Sequence, residues 1–306
     1  MEYYHIPSSV EETLSIADNY SGNYTYFAGG TDIQIYRKQK LDTHDHIIDL
    51  SRLDELKSIT VNKDHLHLGA MTTLDDIISS DIINSNYPLI SEAAKSVATP
   101  VIRKTATIGG NLLVNNRCTF YNQSKEWRDS IGSCLKDKGD ICQVTGGNKS
   151  CYARNVSDSA ASLMALGSEI ILLTPSGSIQ KPLTELYLPC GIKSNELDEH
   201  SILTGITIPI KAEKWWYRKL RLRKTLDFTS LTVAATVDSD RIARICLNGV
   251  SMSPVLIKEA LKSLTLESLI KQARKKCKTV ENDLMPLKYR REMINVYLKE
   301  CWETLH

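Results

Sequence analysis

Four cysteines fall within one stretch of this chain: Cys118, Cys134, Cys142 and Cys151, spaced C-x15-C-x7-C-x8-C. Thiolates are soft ligands that suit zinc or iron–sulfur centres. The spacing matches neither the paired C-x2-C knuckles of common structural zinc sites nor the close runs of common ferredoxins. The surrounding segment is rich in Gly, Asn, Lys and Asp, with too few apolar residues to bury four plain thiols. A loop folded around a metal is therefore expected here. Cys190, Cys246, Cys277 and Cys301 stand singly elsewhere and read as small buried apolar residues.

Two glycine pairs form a second constellation. Ala28-Gly29-Gly30-Thr31-Asp32 follows a run that reads as a strand, and Thr107-Ile108-Gly109-Gly110-Asn111 lies further on. Glycine admits φ > 0 and lets a ligand approach where a Cβ would block it. Successive N–H groups can then form an anion-binding nest, with a threonine hydroxyl as an extra donor. Neither run is GxGxxG or a Walker motif. Each pair alone reads as a plain tight turn. Two such pairs, each with threonine, point to a ligand whose two phosphates sit between two lobes. Asp158 precedes the apolar run AASLMAL; it either caps that helix or accepts hydrogen bonds from ribityl or ribose hydroxyls.

The seven histidines are scattered. His65 and His67, at i and i+2, would share a strand face, where such pairs are more often solvated than ligating. There is no Ser-His-Asp set and no paired-acid motif, so no catalytic residue is assigned.

These groups need a scaffold. The 306 residues suffice for two domains and a sizeable core. Composition is that of a globular chain, 42% hydrophobic and 24% charged, and the net charge of +2 implies no general attraction to nucleic acid. The N-terminus lacks a signal-peptide pattern and no apolar run is long enough to span a bilayer, so a cytoplasmic protein is expected. In that compartment clustered cysteines point to metal or redox work rather than disulfides.

Ser9 is expected to cap a helix over VEETLSIADNY with Glu12 as its capping-box partner. Tyr24–Ala28, Thr31–Lys38 and His46–Leu50 read as strand, helix, strand, a βαβ-like unit. Leu56–Gly69 reads as a hairpin, and Thr72 or Thr73 caps a helix through Ser80. Pro88 opens another helix that ends before Pro100. After the cysteine segment, AASLMALGSEIILLT reads as helix, glycine, buried strand. Composition changes near Pro182–Pro189. Beyond it Ser201–Ile210, LDFTSLTVAATVD and RIARICLNGVS read as strands, and VLIKEALKSL, SLIKQARKKC and PLKYRREMINVYLKECWETL as helices. The expected boundary is at residue 182.

With these motifs in view, the chain resembles the FAD-binding medium subunits of the molybdenum hydroxylases, the xanthine dehydrogenase and carbon monoxide dehydrogenase family. AGGTDI (Ala28–Ile33) resembles the first FAD loop and TIGGN (Thr107–Asn111) the second. SDSAASLMALGSEI (Ser157–Ile170) resembles the segment whose Asp contacts the cofactor, SILTGITIPI the later strand, and Lys219-x3-Arg223-x3-Asp227-Phe228 the C-terminal-domain motif. About forty residues intervene where most relatives run from GGN straight into the Ser-Asp segment. That insertion is similar to the one in the β subunit of 4-hydroxybenzoyl-CoA reductases, where it carries an extra [4Fe–4S] cluster.

The resemblance implies an α+β fold: a two-lobed, PCMH-type FAD-binding domain over 1–181, with lobes about 1–55 and 56–181, then a smaller α+β flavoprotein C-terminal domain over 182–306. The cysteine-rich insertion would span about 112–153. It implies FAD held through Ala28, Gly29, Gly30, Thr31, Asp32, Thr107, Ile108, Gly109, Gly110 and Asn111 at its diphosphate, and Asp158 at its hydroxyls. Leu203 would lie along the flavin and Lys219 near the isoalloxazine, although Lys219 also reads as a solvated lysine. Val97 falls where some relatives place a residue over the flavin face, but valine cannot stack as an aromatic would and is not assigned. The implied metal ligands are Cys118, Cys134, Cys142 and Cys151, holding a [4Fe–4S] cluster. The implied partners are a molybdenum-cofactor large subunit and a small [2Fe–2S] subunit in a dimer of heterotrimers, with a donor such as ferredoxin and neither nucleic acid nor membrane. Alternatives are the FAD subunit of a xanthine or aldehyde dehydrogenase type of enzyme, or a zinc-stapled binding module without flavin.

Overall fold

The computed structural model describes residues 2–62, 65–209 and 212–306. The first unit comprises β1 (Tyr3–His5), α1 (Val10–Asn19), β2 (Tyr24–Phe27), α2 (Ile33–Lys38) and β3 (His46–Asp49). Its strands pair in parallel in the order β1-β3-β2. Parallel neighbours need a crossover, and α2 supplies the one between β2 and β3. Ser9 caps α1 by accepting from the Glu12 amide. The Glu12 carboxylate instead accepts from the Ser8 amide and hydroxyl, both at 2.7 Å, so the reciprocal contact is displaced by one residue.

The chain continues through β4 (Ile59–Val61), β5 (Leu66–Gly69), α3 (Leu74–Ser79), α4 (Asp81–Asn86), α5 (Pro88–Ser96) and α6 (Pro100–Arg103). Then come α7 (Ile108–Leu112), α8 (Lys125–Ile131), α9 (Asp158–Ala165), β6 (Glu169–Thr174), β7 (Gly177–Pro182) and β8 (Ile202–Ile208). β4 and β5 form the expected hairpin; Lys63, Asp64 and Ile210 lie outside the described residues. Thr73, not Thr72, caps α3, in a full capping box with Asp76, a device worth about 1 kcal/mol.

Five strands make the second sheet, ordered β4-β5-β8-β6-β7. β8 pairs antiparallel with both β5 and β6. A boundary at residue 182 would put Ile202–Ile208 in the second domain, yet these residues form the central strand of this sheet. The composition change at Pro182–Pro189 marks an excursion of the chain, and long-range ladder bonds then return it.

β9 (Lys214–Leu220), β10 (Leu231–Val237), β11 (Ile242–Asn248), β12 (Val255–Ala260), α10 (Leu266–Lys276) and α11 (Leu287–Leu305) complete the chain. The strands form an antiparallel sheet ordered β12-β11-β10-β9. The helix expected over VLIKEALKSL is instead β12, in register from Leu247↔Val255 to Ile242↔Ala260. Local helix propensity is a weak preference that such tertiary pairing overrides.

One face of this sheet packs on α10 and α11 around Val233, Ile245 and Leu298. The other contributes Ala234 and Cys246 to the core of the five-stranded sheet, beside Ala160, Leu163 and Ile206. α9 packs on β10 and β11 on one side and against α5 and α7 on the other, with all eight residues buried. Its Ser and Ala side chains let both layers approach closely. Cys246 and Cys301 are buried as expected, while Cys190 and Cys277 are half-buried. Among the described residues no helix is long and apolar enough to cross a membrane.

The segment between α7 and α9 docks on both the N-terminal unit and the C-terminal domain. Arg128 is buried and donates to the Asp137 carboxylate at 2.9 Å, the Gln39 carbonyl at 3.0 Å and the Gln123 carbonyl at 2.6 Å. Arg117 and Arg154 exchange backbone hydrogen bonds of 2.9 Å at the neck of the insertion. Arg154 then pairs with Asp283 of the C-terminal domain, with both side chains nearly buried. Removing one partner of a buried pair strands the other charge. Asp283→Ala is expected to lower unfolding free energy by about 3 to 5 kcal/mol, measured by urea denaturation.

Candidate functional site

β2 ends at Phe27 and the chain turns through Ala28, Gly29 and Gly30, the last with φ +71°. A Cβ on Gly29 would stand 1.8 Å from the Thr105 carbonyl oxygen. A Cβ on Gly109 would stand 2.7 Å from the Ala70 carbonyl oxygen. These glycines permit close packing within the chain, and Gly29 brings the first loop directly against the entry to the second. Gly110 is exposed, and a Cβ there would project between Thr107 Oγ1 at 3.0 Å and the Ala28 Cβ at 3.9 Å. The two loops thus face one another across Gly110.

Their backbone donors differ. The amides of Gly29, Gly30, Thr31 and Asp32 have no acceptor among the described residues. In the second loop Ile108 and Gly109 donate to the Thr72 and Ala70 carbonyls at 2.9 and 2.8 Å, and Gly110 to Thr107 Oγ1 at 3.1 Å. The first loop therefore offers a row of open amides, and the second a close, small-residue wall. Asn111 accepts from Ser157 Oγ at 3.0 Å and the Ser159 amide at 3.1 Å, which ties the second loop to the start of α9. Burial pushes the Asp32 carboxyl up, and the Arg117 guanidinium opposes this. Arg117 itself lies 3.9 Å from the Phe228 ring centroid.

Ser157, not Asp158, caps α9, accepting from the Ala160 amide at 3.1 Å. Asp158 is 4% exposed and accepts from Lys219 Nζ at 2.6 Å and Thr232 Oγ1 at 3.4 Å. Lys219 also donates to the Ser96 carbonyl at 3.0 Å, and Arg221 donates to the same oxygen at 3.2 Å. Lys219 is thus an interior residue rather than a solvated one. Burial pushes the Asp158 carboxyl up, and Lys219 opposes the shift. Ala98, just beyond Val97, holds φ +46°, an unusual conformation for alanine. Leu203 is 5% exposed and packs in the main core.

Sequence reasoning missed Arg117, Ser96, Tyr217 and Thr232. Their contacts join residues far apart in the chain, such as Ser96 Oγ to Tyr217 OH at 2.8 Å, and no local pattern signals them. His65 meets the Asn62 amide nitrogen at 3.2 Å, and His67 packs beside Gly205.

The four cysteines of the insertion line one small cavity with Phe120, Tyr121 and Lys136. All four are free and buried. Burial pushes the Cys118 thiol up and that of Cys151 up to about 11. At Cys142 burial acts upward too, but the Thr145 hydroxyl and nearby amides outweigh it and hold the thiol below its usual value. Among the described residues no three His, Cys, Asp or Glu side chains meet at a single-ion position. The thiols instead surround a space, and no carboxylate or imidazole lines it. Four thiols with no carboxylate or imidazole make a soft donor set of the kind that zinc or an iron–sulfur centre takes.

Residues 1–211 match the family described as the FAD-binding domain in molybdopterin dehydrogenase. The chain belongs to that family: it is an FAD-binding medium subunit of the molybdenum hydroxylase class. It is 29% identical over 245 residues to the aldehyde oxidoreductase FAD-binding subunit PaoB of Escherichia coli strain K12, covering 77% of each chain. It is 28% identical over 236 residues to the carbon monoxide dehydrogenase medium chain of Hydrogenophaga pseudoflava, covering 76% of this chain and 68% of that one. Carbon monoxide dehydrogenase from H. pseudoflava, solved without the Mo-pyranopterin moiety of its cofactor, contains a chain of the same fold. The TM-score is 0.78 at 23% identity, over 99% of this chain and 96% of that chain.

Two consequences are measurable. Gly29→Ala is expected to cost about 1 to 3 kcal/mol through overpacking on Thr105, seen as a lower urea midpoint. Lys219→Met strands the Asp158 carboxylate in the interior. Its folded pKa then lies further above the unfolded value, so the native state binds the extra proton and stability falls as pH rises. The stability deficit of Lys219→Met relative to wild type is expected to be larger at pH 8 than at pH 5.

Proposed function

We propose that this chain is an FAD- and [4Fe–4S]-carrying electron-transfer subunit of a molybdenum-dependent oxidoreductase resembling 4-hydroxybenzoyl-CoA reductase. The cavity lined by Cys118, Cys134, Cys142 and Cys151 carries the reading. The open amides from Gly29 to Asp32 would hold the FAD diphosphate against Thr107–Asn111. Asp158 keeps acceptor capacity beyond its bonds to Lys219 and Thr232, which suits sugar-chain hydroxyls. Lys219 would bring its charge near the flavin ring, and Leu203 would offer it an apolar contact. FAD supplies two-electron exchange and the cluster one-electron exchange when bound. The chain itself binds, orients and insulates these groups. Substrate chemistry belongs to a partner subunit with a molybdenum cofactor, linked through a small [2Fe–2S] subunit. A low-potential donor such as ferredoxin would feed electrons in, and the acceptor would be an aromatic acyl-CoA.

The full chain, purified and reconstituted anaerobically, is expected to bind FAD and to take up about four iron and four sulfide. Cys134→Ser is expected to retain FAD and lose most of the iron–sulfur absorbance. Stoichiometric zinc without flavin would support the zinc-stapled module instead. The complex isolated with its co-purifying subunits is expected to reduce 4-hydroxybenzoyl-CoA. Turnover of aldehydes or xanthine alone would assign it to the other branch of the family.

A further inference from the structure

The wall of the thiol cavity contains a buried ammonium. Lys136 follows Cys134 by two residues, on a short helical turn over Leu135–Asp137, and is 9% exposed. Its Nζ donates to Asn115 Oδ1 at 2.9 Å, the Gly191 carbonyl at 2.7 Å and the Ile192 carbonyl at 2.8 Å. It stands 5.1 Å from the centroid of Tyr121, another residue of the cavity wall. All three acceptors are neutral. The adjacent carboxylate, Asp137, turns to Arg128 at 2.9 Å.

A buried cation without a counter-charge is costly. Among the described residues the cavity wall it shares holds four cysteine sulfurs, Cys118, Cys134, Cys142 and Cys151, and no carboxylate. The three ammonium donors already have three oxygen acceptors, so Lys136 addresses the cavity through its field rather than through a bond to sulfur. The anchoring carbonyls and amide fix that field in place.

We propose that Lys136 is a positioning charge that raises the reduction potential of the iron–sulfur centre held by the four cysteines. The proposal rests on the [4Fe–4S] reading above. One electron passes from a reductant, the flavin or dithionite, to the centre, and no proton need move. The added negative charge arises in a low-dielectric cavity facing a fixed cation, and net charge around a cluster is one determinant of its potential.

The test is a dithionite potentiometric titration of the anaerobically reconstituted full chain, followed by electron paramagnetic resonance. Lys136→Met is expected to raise the ratio of oxidised to reduced centre at least tenfold at fixed solution potential, a drop of about 59 mV for one electron. Asn115→Asp keeps the lysine but sets a carboxylate against it, and is expected to shift the titration the same way. Lys136→Arg, which keeps the charge, is expected to stay near wild type. Loaded Lys136→Met and Asn115→Asp chains that titrate with wild type overturn the proposal. If Lys136→Met fails to hold iron, the Asn115→Asp titration decides alone. A wild-type chain that takes up no iron overturns the [4Fe–4S] reading and this proposal together, an outcome read from iron content before any titration.

Discussion

The ion pair between Asp158 and Lys219 joins the two halves of this protein. Asp158 begins a wholly buried helix packed between the C-terminal sheet and the helices α5 and α7, and Lys219 projects from an edge strand of that sheet. Their 2.6 Å contact carries charge into the seam between the halves. Such a pair gains little net stability, because each ion loses its hydration. Its effect is on geometry: Lys219 also holds the Ser96 carbonyl, so one ammonium aligns the end of α5, the start of α9 and β9.

The glycine loops follow a related logic of close approach. Gly29 and Gly109 are small because backbone lies against them, whereas Gly110 faces the gap between the loops. Asn111 then passes the position of the second loop to Ser157 and Ser159, beside Asp158. The candidate diphosphate and hydroxyl positions are therefore held by one connected set of hydrogen bonds. The insertion is tied into the same body through Arg154, Asn116 and Arg128, so the thiol cavity has a fixed place relative to the glycine loops.

Much of the candidate site was legible in the residues. The paired glycines with threonine, the acid before AASLMAL and the four clustered cysteines each need particular side chains at particular places, and such needs survive in a linear pattern. The helix expected over Val255–Leu264 failed because β12 is set by its partner β11 rather than by its own propensity. The boundary at residue 182 cut through a sheet for the same reason, since β8 finds both its neighbours far away in the chain. The pairing partners of Asp158 and Lys136 were hidden too.

The sequence by itself determined the chemistry available here: soft thiol donors in an insertion poor in apolar residues, and backbone amides freed by glycine. Tertiary structure alone decided which of these groups meet. It buried Lys219 against Asp158, closed the four thiols around one space, and set the Lys136 ammonium in its wall. The physical reason is that residue type and local spacing encode what a side chain can do. Burial, charge pairing and ladder partners depend on contacts between segments that the linear order leaves far apart.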